Sequence, residues 1–330
     1  MNAHPPGLDL ARLAGHLQRE GLTEGPLTAE MITGGKSNLT YVVRDGSGHS
    51  QGAGQSPARP GTFVVRRPPL GHVLATAHDM GREYRVMSAL QDTPVPVPRT
   101  YHLCQDPDVI GAPFYVMEYV EGDQPPLTPR LAHGLVDVLA ALHSIAPDDV
   151  GLGDFGRPDG FLERQVGRWK RQLDASRSRD VPGIDDLYVR LSQAIPGSGK
   201  AAIVHGDFKL GNTLIDGDGR VRAVLDWEMS TLGDPLTDFA LFLLYGEFTT
   251  LDNGAPGEVP DTGELASHYA EASGRDLSRL GWYVGLACFK LAVIAEGIHF
   301  RYTQGLTVGD GFAEIGEQVA PLVARGLREV

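Results

Sequence analysis

"IVHGDFKLGNTLID", residues 203–216, is the stretch on which the reading of this chain turns. Ile203-Val204 and Leu214-Ile215 are short apolar runs of strand character, and between them lies a tight polar loop carrying His205, Asp207, Lys209 and Asn212. After the turn "DGDG" (216–219), the strand-like "RVRAVLDWE" (220–228) ends at Asp226. The pattern is H-G-D-x-x-x-x-N followed by an aspartate on the next strand. Phosphoryl transfer asks a protein for positioning and charge neutralisation more than for covalent chemistry. One carboxylate can orient an attacking hydroxyl and accept its proton. An amide oxygen and a second carboxylate can hold Mg²⁺, a hard ion that prefers oxygen and keeps several waters. Asp207 and Asn212 stand at opposite ends of one loop and Asp226 ends the neighbouring strand, so the three are expected to face one cleft. Turn and cap roles for Asp and Asn, with His205 as a satisfied core histidine, would explain each residue singly but not the set.

Toward the N-terminus, residues 8–21 read as an amphipathic helix ending at Gly21. Three β-like runs follow, 27–33, 40–44 and 62–67, the first two separated by "GGKSN" and the last two by "DGSGHSQGAGQSPARPG" (45–61), a Gly/Ser/Gln/Pro surface loop. Residues 73–90 have helical periodicity, with Val73, Ala77, Met80, Tyr84, Met87 and Leu90 on one face. The prolines of "DTPVPVPRT" stop that helix, since each lacks an N–H and disfavours helix before it. Strands at 100–104 and 113–119 complete a five-stranded sheet carrying one helix, and "VEGDQPP" (120–126) is a Gly/Pro joint. Beyond it the patterns are mostly helical: 127–145, 160–176, 185–195, 236–245, 262–274, 276–302 and 310–328. No internal repeat is evident.

Composition narrows the function classes. The chain has 330 residues, 42% apolar and 22% charged, which suits a globular protein of one bilobal or two adjoining domains. With 29 basic and 42 acidic residues the net charge is −13, which argues against a non-specific nucleic-acid partner. The two cysteines, Cys104 and Cys288, are far apart and in no metal-ligand spacing, which fits a reducing cytoplasm. The N-terminus lacks the pattern of a secretion signal. The most apolar segment, 280–298, carries Lys290 and Glu296 and reads as a buried helix and not as a membrane span. A homodimer is left open.

"HGDFKLGNTLID…VRAVLDWE" resembles the catalytic segment of the aminoglycoside phosphotransferase/choline kinase family, small-molecule relatives of protein kinases, and "GDPLTDFA" (233–240) matches as well. The resemblance runs from about residue 25 to 305. It implies an α+β, bilobal protein-kinase-like fold, with a small antiparallel-sheet N-lobe (1–119), a hinge at about 117–122, and a larger helical C-lobe (120–330). It further implies ATP and Mg²⁺ as cofactors, Asp207 as the catalytic base or hydroxyl-orienting group, Asn212 and Asp226 as Mg²⁺ ligands, and Asp234 and Asp238 as braces of the loop. Lys209 either neutralises transferred phosphate or reaches solvent. GTP in place of ATP is left open.

Such an N-lobe needs a phosphate-covering hairpin, a cation on the third strand, an acidic partner on the helix and a hinge for adenine. In "ITGGKSNLTYVV" (32–43), Gly34 and Gly35 allow close backbone approach, while Lys36, Ser37 and Asn38 offer donors. A Walker A motif fails here because Glu30 stands where it requires glycine. Strand alternation separates Arg66 from Arg67. Arg66 is taken as the phosphate-facing cation, where most relatives carry lysine, and Glu83 as its ion-pair partner, with Arg67 the alternative. In "FYVMEYVEG" (114–122), backbone groups of Glu118 and Val120 are expected to meet adenine, with Met117 in the pocket wall. "GLGDFG" (151–156) follows a helix, not a strand, which excludes it as a dinucleotide fingerprint.

The acceptor is expected on the helical lobe, among Glu163, Arg164, Arg168, Trp282, Glu296, His299 and Arg301. The strings "VVRRPP", "GFLERQVGRWKRQ" and "LDWEMSTLGDPLTDFA" most resemble kinase-like domains found alone or joined to acyl-CoA dehydrogenases, relatives linked to phosphorylation of hydroxyacyl-CoA compounds. The mixed basic and acidic residues lean the same way, since a polycationic antibiotic would call for carboxylates. The rival readings are an aminoglycoside-modifying kinase, a nucleotide-binding pseudokinase, and a metal-dependent phosphohydrolase.

Overall fold

Alternating apolar residues in the first third of the chain build a sheet. The computed structural model describes residues 5–32, 38–46, 61–70, 79–197, 199–248, 261–306 and 314–330. Within them, β1 (Leu27–Met31), β2 (Leu39–Asp45), β3 (Thr62–Arg67), β4 (Thr100–Cys104) and β5 (Phe114–Glu118) form a five-stranded sheet. Its order is β1-β2-β3-β5-β4, and every pairing is antiparallel. Tyr41, Val43, Phe63, Val65, Phe114 and Val116 face one side and close around Leu13 and Leu17 of α1 (Leu10–Arg19). Asp9 caps that helix by accepting from the amides of Ala11 and Arg12. The opposite side takes α2 (Met80–Leu90), capped by Asp79.

The sheet thus carries a helix on each face, where the sequence suggested one. The buried positions of α2 are Met80, Glu83, Val86, Met87 and Leu90. Tyr84, expected on that face, is half-buried, and Val73 and Ala77 lie outside the described residues. A carboxyl side chain, Glu83, lies on the buried face of α2 because it has hydrogen-bond partners there.

The chain divides into two compact units: residues 1–122 with 222–228, and residues 123–221 with 229–330. The sequence-based boundary kept 222–228 with the second part. The second unit contains α3 (Pro129–Ser144), α4 (Phe161–Ser176), α5 (Ile184–Gln193), β6 (Ala202–Val204) and β7 (Thr213–Ile215). Beyond β8 (Val221–Val224) come β9 (Thr231–Gly233), α6 (Leu236–Glu247), α7 (Thr262–Ser273), α8 (Leu280–Thr303) and α9 (Val319–Leu327). β6 pairs antiparallel with β9, a partner too short to stand out in the sequence.

α8 is long and apolar enough to cross a membrane, yet most of its residues are buried against α4, α5, α6 and α9 of its own unit. The helical pattern at 310–328 resolves into a 3₁₀ turn at Glu314–Gln318 and then α9. Pro321 falls in the first turn of α9, where its missing N–H breaks no helical hydrogen bond.

Candidate active site

In the second unit the loop after β6 is held from below by one carboxylate. Asp238, in the first turn of α6, accepts hydrogen bonds from the backbone N–H groups of His205 (2.5 Å) and Gly206 (2.8 Å). Burial would raise its pKa, but His143, His205 and the Gly206 amide together outweigh that and hold it below the usual range. His143 is fully buried at 3.5 Å from Asp238 and 2.7 Å from the Tyr269 hydroxyl, and burial lowers its pKa. Gly206 has φ 86°, and a Cβ there would meet Met229 O at 2.7 Å, so the position admits glycine alone. His205 is buried, and its Nδ1 accepts from the Asp207 amide at 3.2 Å, bracing the turn.

Asp207 itself is gripped by side chains. Tyr245, at the end of α6, donates from its hydroxyl to Oδ1 at 2.6 Å. Asn212 Nδ2 donates to the Asp207 carbonyl (2.8 Å) and to Oδ2 (3.1 Å). Lys209 Nζ lies 3.4 Å from the same Oδ2 and 4.8 Å from the Tyr245 ring centroid. Lys209 is thus largely covered and paired with Asp207. From α8, Lys290 Nζ donates to the Gly206 carbonyl at 2.6 Å and lies 5.6 Å from the Trp169 ring. Desolvation pushes the Lys290 pKa down, against the pull of Asp207 and Asp238.

Tyr245 and Lys290 escaped the sequence reading. Tyr245 closes an apolar run that reads as plain core. Lys290 is the lone cation in the apolar stretch 280–293, a signal visible in the sequence.

The first unit contains a separate ionic cluster. Arg66 Nε lies 3.1 Å from Glu83 Oε2, an ion pair without hydrogen-bond alignment, and Nη2 donates to Asp226 Oδ1 at 2.5 Å. Tyr115 donates to Glu83 Oε2 at 2.9 Å, and Asn38 Nδ2 donates to Glu83 Oε1 at 3.0 Å. Burial pushes the Glu83 pKa up, and Arg66 and the Tyr115 hydroxyl offset part of that. Burial opposes the charge on Arg66, but Tyr115, Glu83 and Asp226 around it raise its pKa overall. Arg67 lies on the other face, donating to the carbonyls of Gly7 and Ile110. Asp226 has φ 65°, the one non-glycine residue with positive φ among those described. A left-handed aspartate costs about 1 kcal/mol or more, and such outliers cluster at functional positions.

Several expected contacts take a different form. Asn38, read as a phosphate donor, turns inward and binds Glu83 and Glu228, because a buried carboxylate needs hydrogen-bond donors. Gly34, Gly35, Lys36 and Ser37 lie outside the described residues. The Glu118 amide is committed to the Arg99 carbonyl at 2.7 Å, and the residue pairs with Phe63 in the sheet. Met117 is buried, in register with Val64, and Val120 follows β5 half-buried.

Of the acceptor candidates, Glu296 is fully buried against Arg179 (3.0 Å) and Ser178 (2.8 Å), an internal brace. Trp282 is core, its indole N–H donating to Leu191 O. Arg164 folds back on the carbonyls of Arg157 and Asp159, and His299 packs on Gly316. Glu163 and Arg301 are exposed. Arg168 lies over the Trp169 ring, 5.2 Å from its centroid, and its charge acts on Lys290.

An antiparallel five-stranded sheet followed by a mostly helical region that braces an H-G-D-x-x-x-x-N loop defines a class of phosphotransferases. The chain belongs to the phosphotransferase enzyme family (APH), whose profile matches residues 28–283. A protein of Ralstonia eutropha JMP134, provisionally assigned as an aminoglycoside phosphotransferase, is 33% identical and superimposes with a TM-score of 0.80, covering 97% of this chain and 98% of that one. Macrolide 2'-phosphotransferase type I, at 20% identity and a TM-score of 0.63, covering 97% of this chain and 99% of its own, shares the fold. Among curated relatives, acyl-CoA dehydrogenase family member 11 of Gallus gallus is 33% identical over 326 residues, 92% of this chain. Probable acyl-CoA dehydrogenase IBR3 of Arabidopsis thaliana is 32% identical over 327 residues, 89% of this chain. The chain spans about 40% of the length of these two relatives.

Proposed function

We propose that the chain is an ATP- and Mg²⁺-dependent kinase of a small hydroxylated molecule, and that its acceptor is a hydroxyacyl-CoA-type metabolite. The observation that carries the reading is the grip on Asp207: Tyr245 on one carboxylate oxygen, Asn212 and Lys209 on the other. A carboxylate accepts about four hydrogen bonds, so a lone pair remains for an acceptor hydroxyl. In the proposed step that hydroxyl oxygen bonds to the γ-phosphorus as the bond from phosphorus to the β–γ bridging oxygen breaks. ADP leaves with the electron pair, and the hydroxyl proton passes to Asp207 and then to water. Lys209, beside Asp207, balances charge on the transferred group.

Each residue expected to hold Mg²⁺ offers an oxygen within its own unit. The Asn212 nitrogen is committed to Asp207, which leaves its amide oxygen as the ligand atom, and Asp226 engages Arg66 through Oδ1, which leaves Oδ2. Mg²⁺ would neutralise phosphate charge. The choice of acceptor is supported by the likeness to the acyl-CoA dehydrogenase family members and by the cations Arg168 and Lys209, whose charges both act on Lys290. Such a setting favours an anionic acceptor over a polycation.

The test is ADP release with Mg²⁺·ATP across hydroxyacyl-CoA thioesters, aminoglycosides and macrolides. A hydroxyacyl-CoA should stimulate release, and Asp207→Asn should lower it by about 10²-fold or more while preserving the nucleotide-induced rise in melting temperature. Stimulation by an aminoglycoside alone would replace the acceptor. The absence of any thermal response to millimolar Mg²⁺·ATP would overturn the kinase reading. A second reading, a nucleotide-binding protein without turnover, is favoured only by arginine at position 66, and any transfer that requires Asp207 excludes it.

A further inference from the structure

Far along the sheet from β1, at its other edge, a second set of ligand-bearing side chains comes together. His16 on α1 and His102 on β4 approach through their Nε2 atoms to 2.9 Å, with ring centroids 5.0 Å apart and ring planes inclined by 51°. Cys104, two residues along the same strand, is buried and carries a free thiol. The three donor atoms all lie within 4.8 Å of one another. On the far side of the His102 ring, Nδ1 is 3.9 Å from the Glu20 carboxylate at the end of α1. Phe114, opposite Cys104 in the register, packs on both imidazoles and walls the cluster on its inner side.

The strand is shaped to make this cluster. Pairing between β4 and β5 shifts register between Thr100 and His102, an irregularity of the kind that re-aims a side chain. It puts His102 and Cys104 on the face that meets α1.

We propose that His16, His102 and Cys104 form a zinc site that fastens α1 to the edge strand β4. Two imidazoles and a thiolate are the donor set of a borderline-soft ion, and a carboxylate on the remaining nitrogen of a ligating histidine is the usual outer partner. Zinc–nitrogen bonds of about 2.0–2.1 Å and a zinc–sulfur bond of about 2.3 Å place two tetrahedral nitrogens about 3.3 Å apart and the sulfur about 3.5 Å from each, so the imidazoles need part only slightly. A direct histidine–histidine hydrogen bond accounts for the 2.9 Å contact, and the Asp106 carbonyl, 3.7 Å from Cys104 Sγ, accepts from the thiol; metal ligation replaces both. Three protein ligands leave the fourth position to water. The site uses none of the residues assigned to phosphoryl transfer.

The test uses the full chain, stripped of metal with a chelator and titrated with Zn²⁺ against a chromophoric competitor. One equivalent should bind, and the melting temperature should rise by several degrees and fall again on chelation. Co²⁺ in its place should give four-coordinate d–d bands and a sulfur-to-cobalt charge-transfer band. That band reports Cys104, because Cys288 is fully buried with its thiol pushed up to about 12. Cys104→Ser should abolish the charge-transfer band, and His16→Gln should weaken binding at least tenfold. Glu20→Gln should weaken it by about tenfold. If no stoichiometric Zn²⁺ binds at micromolar free metal, or if Cys104→Ser and His16→Gln both bind like the parent, the proposal fails. Circular dichroism of both variants separates loss of the site from loss of the fold.

Discussion

Lys290 shows how much one side chain can do without touching a reacting atom. Its ammonium is bonded to the carbonyl of Gly206, the residue before Asp207, and it sits against Trp169. Lys290→Met leaves the Gly206 carbonyl without this donor, a cost of about 1–3 kcal/mol. The variant is expected to fold with a melting temperature a few degrees lower and to lose about tenfold or more in kcat, because the loop loses its anchor. A loss of stability with kcat retained would reassign Lys290 to the core. Arg66 gives the opposite case. Removing it strands the buried Glu83 carboxylate, so Arg66→Met should cost about 3–5 kcal/mol by urea unfolding, while Arg66→Lys should recover part of that but not the second contact to Asp226. The choice of Arg66 over Arg67 was open in the sequence, since alternation separates the two but does not say which face holds Glu83.

At the scale of elements, periodicity placed most of the strands and helices and said little about what joins them. β3 and β4 have the expected bounds, as the alternation of a half-buried sheet is a strong signal. β9 was missed because three residues carry no period. The inward turn of Asn38 was equally illegible, since its partner Glu83 is 45 residues away and only tertiary structure brings them together. The loop motif was readable, and its bracing by Asp238 followed from the resemblance, but Tyr245 and Lys290 come from helices whose apolar patterns mask single polar groups. One prediction belongs here. Asp238 accepts two backbone N–H bonds as a charged group, so Asp238→Asn should destabilise the second unit by about 2–3 kcal/mol, measured by denaturant midpoint, and should abolish turnover with it.

For the molecule as a whole, acid is the expected weakness. Burial depresses the His143 pKa, so the unfolded chain takes up a proton at higher pH than the native one. The stability this histidine supports is present above about pH 6.5 and is lost as the pH falls below it. Asp238, also depressed, adds a loss in the same direction at lower pH, as its carboxylate is protonated more readily in the unfolded chain. The melting temperature should therefore fall between pH 7 and 5, and His143→Gln should make that slope shallower; an identical slope would show that other groups set it. Finally, the first unit is interrupted: residues 222–228 belong to it, although 123–221 intervene. A ribosome releases the sheet, α1 and α2 long before it makes Asp226. Until then Arg66 is held by Glu83 but not by its second carboxylate, so the nascent unit matures in two stages separated by the time taken to translate that intervening stretch. A fragment ending at 122 would capture the first stage, with a lower midpoint in urea that a peptide spanning 222–228 should partly restore.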